Sequence, residues 1–288
     1  MEVLQTDSWE EALELKAAHP DAVPIAGGTD LMVELNFDRI RPLAILDLTR
    51  IPELTEHGPE DGHLRVGAGV TYARLIGELS ERLPGLAIAS RTIGSPQIRN
   101  RGTVGGNLGT ASPAGDALPP LFASDAEVEL ASTAGTRRIP VGEFITGPKR
   151  NDLRGDELIA AFHVAAADGP QQFAKIGTRN AMVIAVCSLA LAIWPARRGV
   201  AACIGSAGPT PIRASDAEEF IAGVLEEHDL WSARTPIPDA ALTRFGELVE
   251  QAARPIDDVR GTARYRHHAL GVLARRTLTW AWEAYTCA

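Results

Sequence analysis

Apolar positions along this chain repeat with two periods, and the switches between them mark its elements. Trp9, Ala12, Leu13 and Leu15 share one side of a 3.6-residue repeat opened by Ser8-Trp9-Glu10-Glu11. That tetrapeptide is a capping box, so a helix is expected to run to about His19, where Pro20 stops it. Residues 23–26 and 43–48 are short apolar runs that predict strands, with Asp47 ending the second. Residues 64–69 alternate as a strand, Thr71 is placed to cap a helix through about Arg82, and residues 86–89 lead into a glycine-rich stretch. Beyond it, residues 126–132 and 157–164 predict strands, and 139–141 a short sheet edge.

Residues 165–170 (AAADGP) have the composition of a linker. After them the pattern changes: strands are expected at 173–178, 183–194 and 200–206, the second a continuous buried run. Gly208-Pro209-Thr210-Pro211 forces a turn, and three helices follow at about 213–227, 239–253 and 262–285. In the last, Tyr265, Ala269, Val272, Leu273 and Leu278 fall near one apolar stripe. Arg264, Arg266, Arg275 and Arg276 are expected to be solvated or ion-paired, and His267 and His268 to lie on the surface. Short β segments interleaved with few helices, then strands followed by helices, indicate an α+β chain.

Composition narrows the function classes. The net charge of −9 argues against nucleic acid or an anionic membrane as partner. The first residues, MEVLQTDSWEE, lack a basic and an apolar signal region, and the longest apolar run, 181–194, is too short to span a bilayer. A cytoplasmic location with no membrane span is therefore expected. Cys187, Cys203 and Cys287 cannot supply the four thiolates of an iron–sulfur cluster, and no zinc-type spacing, Walker A or GxGxxG sequence occurs. No metal site and no Ser–His–Asp-type catalyst is expected.

The chemistry concentrates in residues 92–116, TIGSPQIRNRGTVGGNLGTASPAGD, which hold six of the chain's 27 glycines, over twice the average density. Alone, such a stretch reads most simply as turns between short strands. It is also a loop whose closely approaching backbone N–H groups suit an anion, with little apolar mass between Thr103 and Asp116 to build a core. Thr103, Asn107, Thr110 and Ser112 can add hydrogen bonds to phosphate or ribose, whereas Asp116 repels phosphate and suits a hydroxyl or N–H donor. Gly27-Gly28-Thr29-Asp30-Leu31, at the end of an expected strand, is a second such nest, with Asp30 positioned to cap the next segment. Together they suggest a cradle for a dinucleotide held in a non-Rossmann manner.

These residues together resemble the flavin-binding medium subunits of the molybdenum hydroxylases, the family of xanthine and carbon monoxide dehydrogenases. The resemblance spans nearly the whole chain. It is carried by Ala26 to Leu31, by Ile98 to Leu108 (IRNRGTVGGNL), by Ala111-Ser112-Pro113 with Asp116, by Lys175 with Arg179, by GSAGPTPIR from Gly205, and by Asp258-Val259-Arg260 followed by Tyr265-Arg266. It implies a two-lobed FAD-binding domain of the vanillyl-alcohol-oxidase (PCMH-like) type over residues 1–52 and 53–169. A small α+β domain with a three-stranded antiparallel sheet is implied over 170–288. Carried over position by position, Ile25, Ala26, Gly27, Gly28, Thr29, Asp30 and Leu31 wrap the FAD diphosphate from one side. Thr103, Val104, Gly105, Gly106 and Asn107 hold it from the other. Asp116 matches a position near the sugar and ribityl region, Ile93 one that presents an apolar side chain to the cofactor, and Gly94, Ser112, Leu158 and Lys175 further contacts.

The resemblance implies an oxidoreductase subunit that passes electrons from the [2Fe–2S] clusters of a small subunit through FAD to NAD+ or another acceptor. Molybdopterin belongs to a large subunit, and the assembly is a heterotrimer, often doubled. Thr29-Asp30 stands where carbon monoxide dehydrogenases resemble one another in carrying His-Ser, which leans the expectation toward a xanthine-dehydrogenase-like system. Asn180-Ala181-Met182-Val183 lacks the acidic residue many relatives carry beyond the Arg179 match, which leaves the acceptor open. The alternatives are a self-sufficient FAD-dependent oxidoreductase of the same fold superfamily, and a scaffold subunit that has lost its flavin.

Overall fold

A computed structural model describes residues 1–287, so the last position of the third expected region lies outside it. The chain forms two compact units, each assembled from separate stretches: Met1–Gly77, Ser95–Ser112 and Asp125–Ala165 in one, Glu78–Gly94, Pro113–Ser124 and everything from Ala166 on in the other.

The first unit holds a parallel three-stranded sheet in the order Glu2–Gln5, Ala44–Asp47, Val23–Ile25. The helix Trp9–Ala18 starts as expected, with the Ser8 hydroxyl accepting the Glu11 N–H. The partner half of the box differs: the Glu11 carboxylate takes the Thr6 hydroxyl. Ala12, Leu46, Ile51, Leu54 and Leu158 close the core beneath this sheet. A second, antiparallel sheet runs His57–Glu60, His63–Gly67, Leu158–Val164, Glu127–Ser132, Gly135–Pro140. Pro140 sits on its edge strand, where a missing N–H costs no ladder bond. One face of the sheet is apolar; the other carries Arg65 in a two-pronged bond to Glu129, with His163 against the same carboxylate.

The helix expected through Arg82 ends at Glu78, and a new helix, Pro84–Arg91, begins after Leu83, whose place before Pro84 keeps it out of helical geometry (φ −129°, ψ 58°). That helix and Leu118–Ala123 belong to the second unit. The latter opens Leu-Pro-Pro-Leu, and prolines in a helix's first turn lose only N–H groups that had no intrahelical partner.

In the second unit Gln171–Ile176, Cys187–Trp194 and Gly199–Gly205 form three antiparallel strands, with the two-residue Ile212–Arg213 added at the edge. All eight positions of Cys187–Trp194 are buried, because helices cover both faces. Ser215–Glu227 and Ala263–Thr286 pack on the sheet and Asp239–Ala252 packs on them; Pro84–Arg91 and Leu118–Ala123 contact the same strands. Thr262 caps the last helix through its hydroxyl, which accepts the Tyr265 N–H. Residues 183–186, expected to extend the middle strand, lie outside the sheet.

Candidate cofactor site

The strand Val23–Ile25 delivers the chain into Gly27-Gly28. Gly28 takes a left-handed φ of +72°, and a Cβ on Gly27 would lie 2.1 Å from the Arg101 carbonyl oxygen. Only glycine allows that approach. The two glycine motifs, distant in sequence, are thus in backbone contact within the first unit. The Tyr72 N–H donates to the Gly102 carbonyl at 3.0 Å, and Thr71 bridges to Thr103, fixing the second motif.

The second motif is not the loop its composition suggests. Thr103 is the N-cap of a helix, Val104–Thr110, its hydroxyl accepting the Gly106 N–H at 2.9 Å. Nor is it poor in core: Val104 and Leu108 are fully buried. Its buried side has no room for more, since a Cβ on Gly105 would lie 2.5 Å from Ala68. Small residues here permit close packing of a helix on a strand end, which counting apolar mass misses.

Gly106 and Gly109 face outward, and packing does not explain them. A Cβ on Gly106 would meet only the Thr103 hydroxyl, at 3.2 Å, and one on Gly109 only the tip of Ile159, at 3.7 Å. Each glycine costs the helix about 1 kcal/mol relative to alanine. Beside them the Asn107 Oδ1 is buried with no hydrogen-bond partner among the described residues. A bare helix face next to an orphaned buried acceptor fits a group that passes close to the backbone and brings its own donor. The FAD diphosphate and adjoining hydroxyls are such a group, so the residues present fit the cofactor.

Two residues expected at phosphate or ribose are used otherwise. The Thr103 hydroxyl caps its helix, and the Thr110 hydroxyl donates to the Asp30 carboxylate at 2.9 Å. Asp30 occupies the N-cap position of Leu31–Asn36 yet makes no capping bond: its backbone is helical rather than extended (φ −103°, ψ −50°), and its carboxylate takes the Thr110 hydroxyl. The pair instead ties the two glycine motifs together. Ile25, Ala26, Thr29 and Leu31 are half-buried around the first turn, and Ser112 half-buried beyond the helix. Leu158 lies with its side chain in the core, 1% exposed, so a ligand can reach only its backbone. Ala68 and Tyr72, which floor the second motif, escape a search for ligand chemistry; the Gly67-Ala68-Gly69 strand end is the signal for them.

The second unit gathers Ile93, Gly94, Asp116 and Lys175. The Lys175 ammonium donates to Asp116 Oδ2 at 2.6 Å, to the Thr92 carbonyl at 3.0 Å and to the Val183 carbonyl at 3.2 Å. Its three protons are therefore spent, and it holds its neighbours rather than a ligand. Thr92 precedes Ile93 and Gly94, both half-buried, the latter at φ +48°. Burial pushes the Asp116 carboxyl up, and the Lys175 ammonium offsets part of that. Asp116 Oδ1 is buried with no partner among the described residues, the acceptor a hydroxyl or N–H donor would need. Elsewhere, Glu60, Glu129 and His163 have metal-ligating spacing, but Arg65 and Arg138 already pair with those carboxylates. Among the described residues no helix is long and apolar enough to cross a membrane.

Comparison with known proteins shows the family. Residues 1–166 match the family described as the FAD binding domain in molybdopterin dehydrogenase, and residues 172–281 the CO dehydrogenase flavoprotein C-terminal domain. The chain is 31% identical to a xanthine dehydrogenase FAD-binding subunit of Escherichia coli O157:H7, over 93% of this chain and 91% of that one. It is 32% identical to a nicotinate dehydrogenase FAD-subunit of Eubacterium barkeri, over 79% and 81%. Among solved structures, a carbon monoxide dehydrogenase chain from Hydrogenophaga pseudoflava superposes with a TM-score of 0.89 at 27% identity, covering 99% of this chain and 98% of that one.

Proposed function

This chain belongs to the family of FAD-binding medium subunits of molybdenum hydroxylases, and from that premise we propose that it transfers electrons from a partner's [2Fe–2S] clusters, through FAD, to NAD+ or another acceptor. The observation that carries the proposal is the outward face of the helix Val104–Thr110. Gly106 and Gly109 have no packing reason to be glycine, and Asn107 leaves a buried acceptor open beside them.

On this reading residues 1–52 and 53–169 bind the cofactor and the region from 170 completes the subunit. The Gly27-Gly28 turn and the helix start Thr103–Asn107, latched by Thr110 and Asp30, hold the diphosphate. Asp116, fixed by Lys175, accepts a hydroxyl from the ribityl region, and Ile93 and Gly94 offer an apolar shoulder. When bound, the flavin exchanges electrons singly or in pairs, which lets it link a one-electron donor to a two-electron acceptor. This chain's part is to bind, orient and tune it. Three cysteines cannot hold [2Fe–2S] clusters, so the clusters and the molybdopterin belong to a small and a large partner subunit, in a heterotrimer or a pair of them. Thr29-Asp30, in place of the His-Ser of carbon monoxide dehydrogenases, supports a xanthine-dehydrogenase-like assembly.

An absorption spectrum of the protein as purified, with mass spectrometry of its companion chains and released cofactor, tests this. Flavin bands, FAD and two companion subunits are expected. FAD on a lone chain whose flavin bleaches directly with a small substrate would replace the proposal with a self-sufficient oxidoreductase. A preparation that stays colourless after FAD is added would replace it with a scaffold subunit.

A further inference from the structure

Arg266, expected to be solvated or ion-paired, is ion-paired but not solvated. It sits on the helix Ala263–Thr286 at 3% exposure. One guanidinium nitrogen donates to Asp258 Oδ1 at 2.5 Å and another to the Ser206 carbonyl at 3.0 Å, while Nε has no partner among the described residues. Burying a guanidinium on this incomplete set is costly, and an apolar residue of similar volume is often as stable or more so in such a place. The stability of the fold alone therefore does not account for an arginine here.

What Arg266 grips does account for it. Ser206 has a left-handed φ of 59°, uncommon for a residue with a side chain, and the Arg266 bond fixes its carbonyl. From Ser206 two links run outward. Its N–H donates to the Pro113 carbonyl at 3.0 Å, and Pro113 leads through Ala114 and Gly115 to Asp116. Its hydroxyl donates to the Ala185 carbonyl at 2.7 Å, in the segment whose Val183 carbonyl accepts from Lys175. The next N–H, of Val186, donates to Ile176 at 2.7 Å, beside Lys175 itself. Both links end on the two members of the Lys175–Asp116 pair, 2.6 Å apart. A third restraint is steric: a Cβ on Gly205 would lie 2.6 Å from Pro119, so the strand end is pressed against the helix that follows Asp116.

We propose that Arg266, acting through Ser206, is a positioning residue that aims the Asp116 carboxylate at its ligand, a hydroxyl-bearing segment of the flavin cofactor. The proposal rests on the FAD reading above. Arg266 touches no ligand; it sets where Asp116 Oδ1 stands by fixing the turn from which both approaches to the pair are hung.

The test is a double-mutant cycle on the protein as purified with any companion chains, stripped of flavin and titrated with FAD, with affinity expressed per folded molecule. Arg266→Met is expected to raise the FAD Kd about tenfold, as for one misplaced hydrogen bond to a charged group. Asp116→Asn is expected to raise it to a similar extent, and the double variant to be no weaker than the weaker single one. Arg266→Lys, which keeps a donor, should recover part of the loss. Ser206→Ala, which removes only the link to Ala185, serves should Arg266→Met fail to fold. Losses that multiply in the double variant, or a lowered melting temperature with unchanged Kd, would make Arg266 a structural residue and overturn the proposal. An Asp116→Asn protein binding FAD normally would remove Asp116 from the site, and a wild type without FAD affinity would remove the cofactor reading itself.

Discussion

Replacing Gly106 by valine separates a ligand cradle from a purely structural role, because this helix has glycines of both kinds. Gly106 lies mid-helix with ordinary helical φ, and its Cβ would meet only the Thr103 hydroxyl at 3.2 Å. Valine gains the helix a few tenths of a kcal/mol in propensity. Crowding the Thr103 cap costs up to about 1 kcal/mol. The flavin-free protein should therefore melt within about 2–4 °C of wild type. Bound cofactor meets a different balance. Two methyl groups on the bare face force a shift costing about 1–3 kcal/mol, and displaced charge-assisted hydrogen bonds cost about 1.5–3 kcal/mol more. Together these raise the FAD Kd by roughly two to four orders of magnitude. Gly105→Val should do the reverse, since its Cβ would lie 2.5 Å from Ala68: the fold itself is damaged. Flavin absorbance per chain and the melting temperature of the stripped protein read out both variants. Gly106→Val protein that purifies yellow at normal stoichiometry would refute the cradle, and equal damage to folding by both variants would support a purely structural turn.

Asn107→Ala should weaken FAD binding about tenfold without loss of stability in the flavin-free protein, because it removes an acceptor that has no protein partner; calorimetric titration beside melting curves checks both halves. The Arg137 fork, at 2.7 and 2.8 Å, outweighs burial and holds the Glu157 carboxyl below its usual 4.5. That depressed value contributes stability above pH 4.5 which is lost as pH falls through the folded value. Glu157→Gln should therefore cost about 1–3 kcal/mol at pH 7, with the gap from wild type closing in melts below pH 4.5; a gap constant with pH would exclude the ion pair as its source. Burial pushes the Cys187 thiol up to about 12 and the Cys203 thiol also upward, while Cys287 is exposed, so iodoacetamide on the native chain should label Cys287 alone by mass spectrometry.

The long elements were legible because each carried a periodic face and an end signal: Ser8 before Trp9–Ala18, the uninterrupted run around Cys187–Trp194, Thr262 before the last helix. What escaped was set by neighbours rather than local pattern. Glu2–Gln5 and His57–Glu60 are short strands with little alternation, and Leu118–Ala123 is a helix whose two prolines read as breakers until its first turn is located. In the site, glycine density suggested a loop where the chain is helical, because a helix packed tightly on Ala68 needs the same small residues as a loop. Asp116 was legible as an acceptor for a donor other than phosphate. That Lys175 has no proton left for a ligand, and that Thr110 belongs to Asp30, depend on pairings across 59 and 80 residues that no local pattern encodes.

The interleaving of the two units bears on how the chain must be made. Leu86, Leu121 and Phe122 leave the ribosome early, yet they are buried in the unit whose strands Gln171–Ile176 and Cys187–Trp194 are synthesised later. During translation these apolar surfaces have nothing to cover, and the nascent chain exposes them for the time needed to add the remaining residues. Separating the C-terminal region at its linker would strip its sheet of the helices Pro84–Arg91 and Leu118–Ala123 and open apolar strands to water. Vectorial synthesis thus commits this protein to late completion: neither unit can be finished from its own contiguous gene segment, and a chaperone's best opportunity to bind is the interval before the last strands emerge.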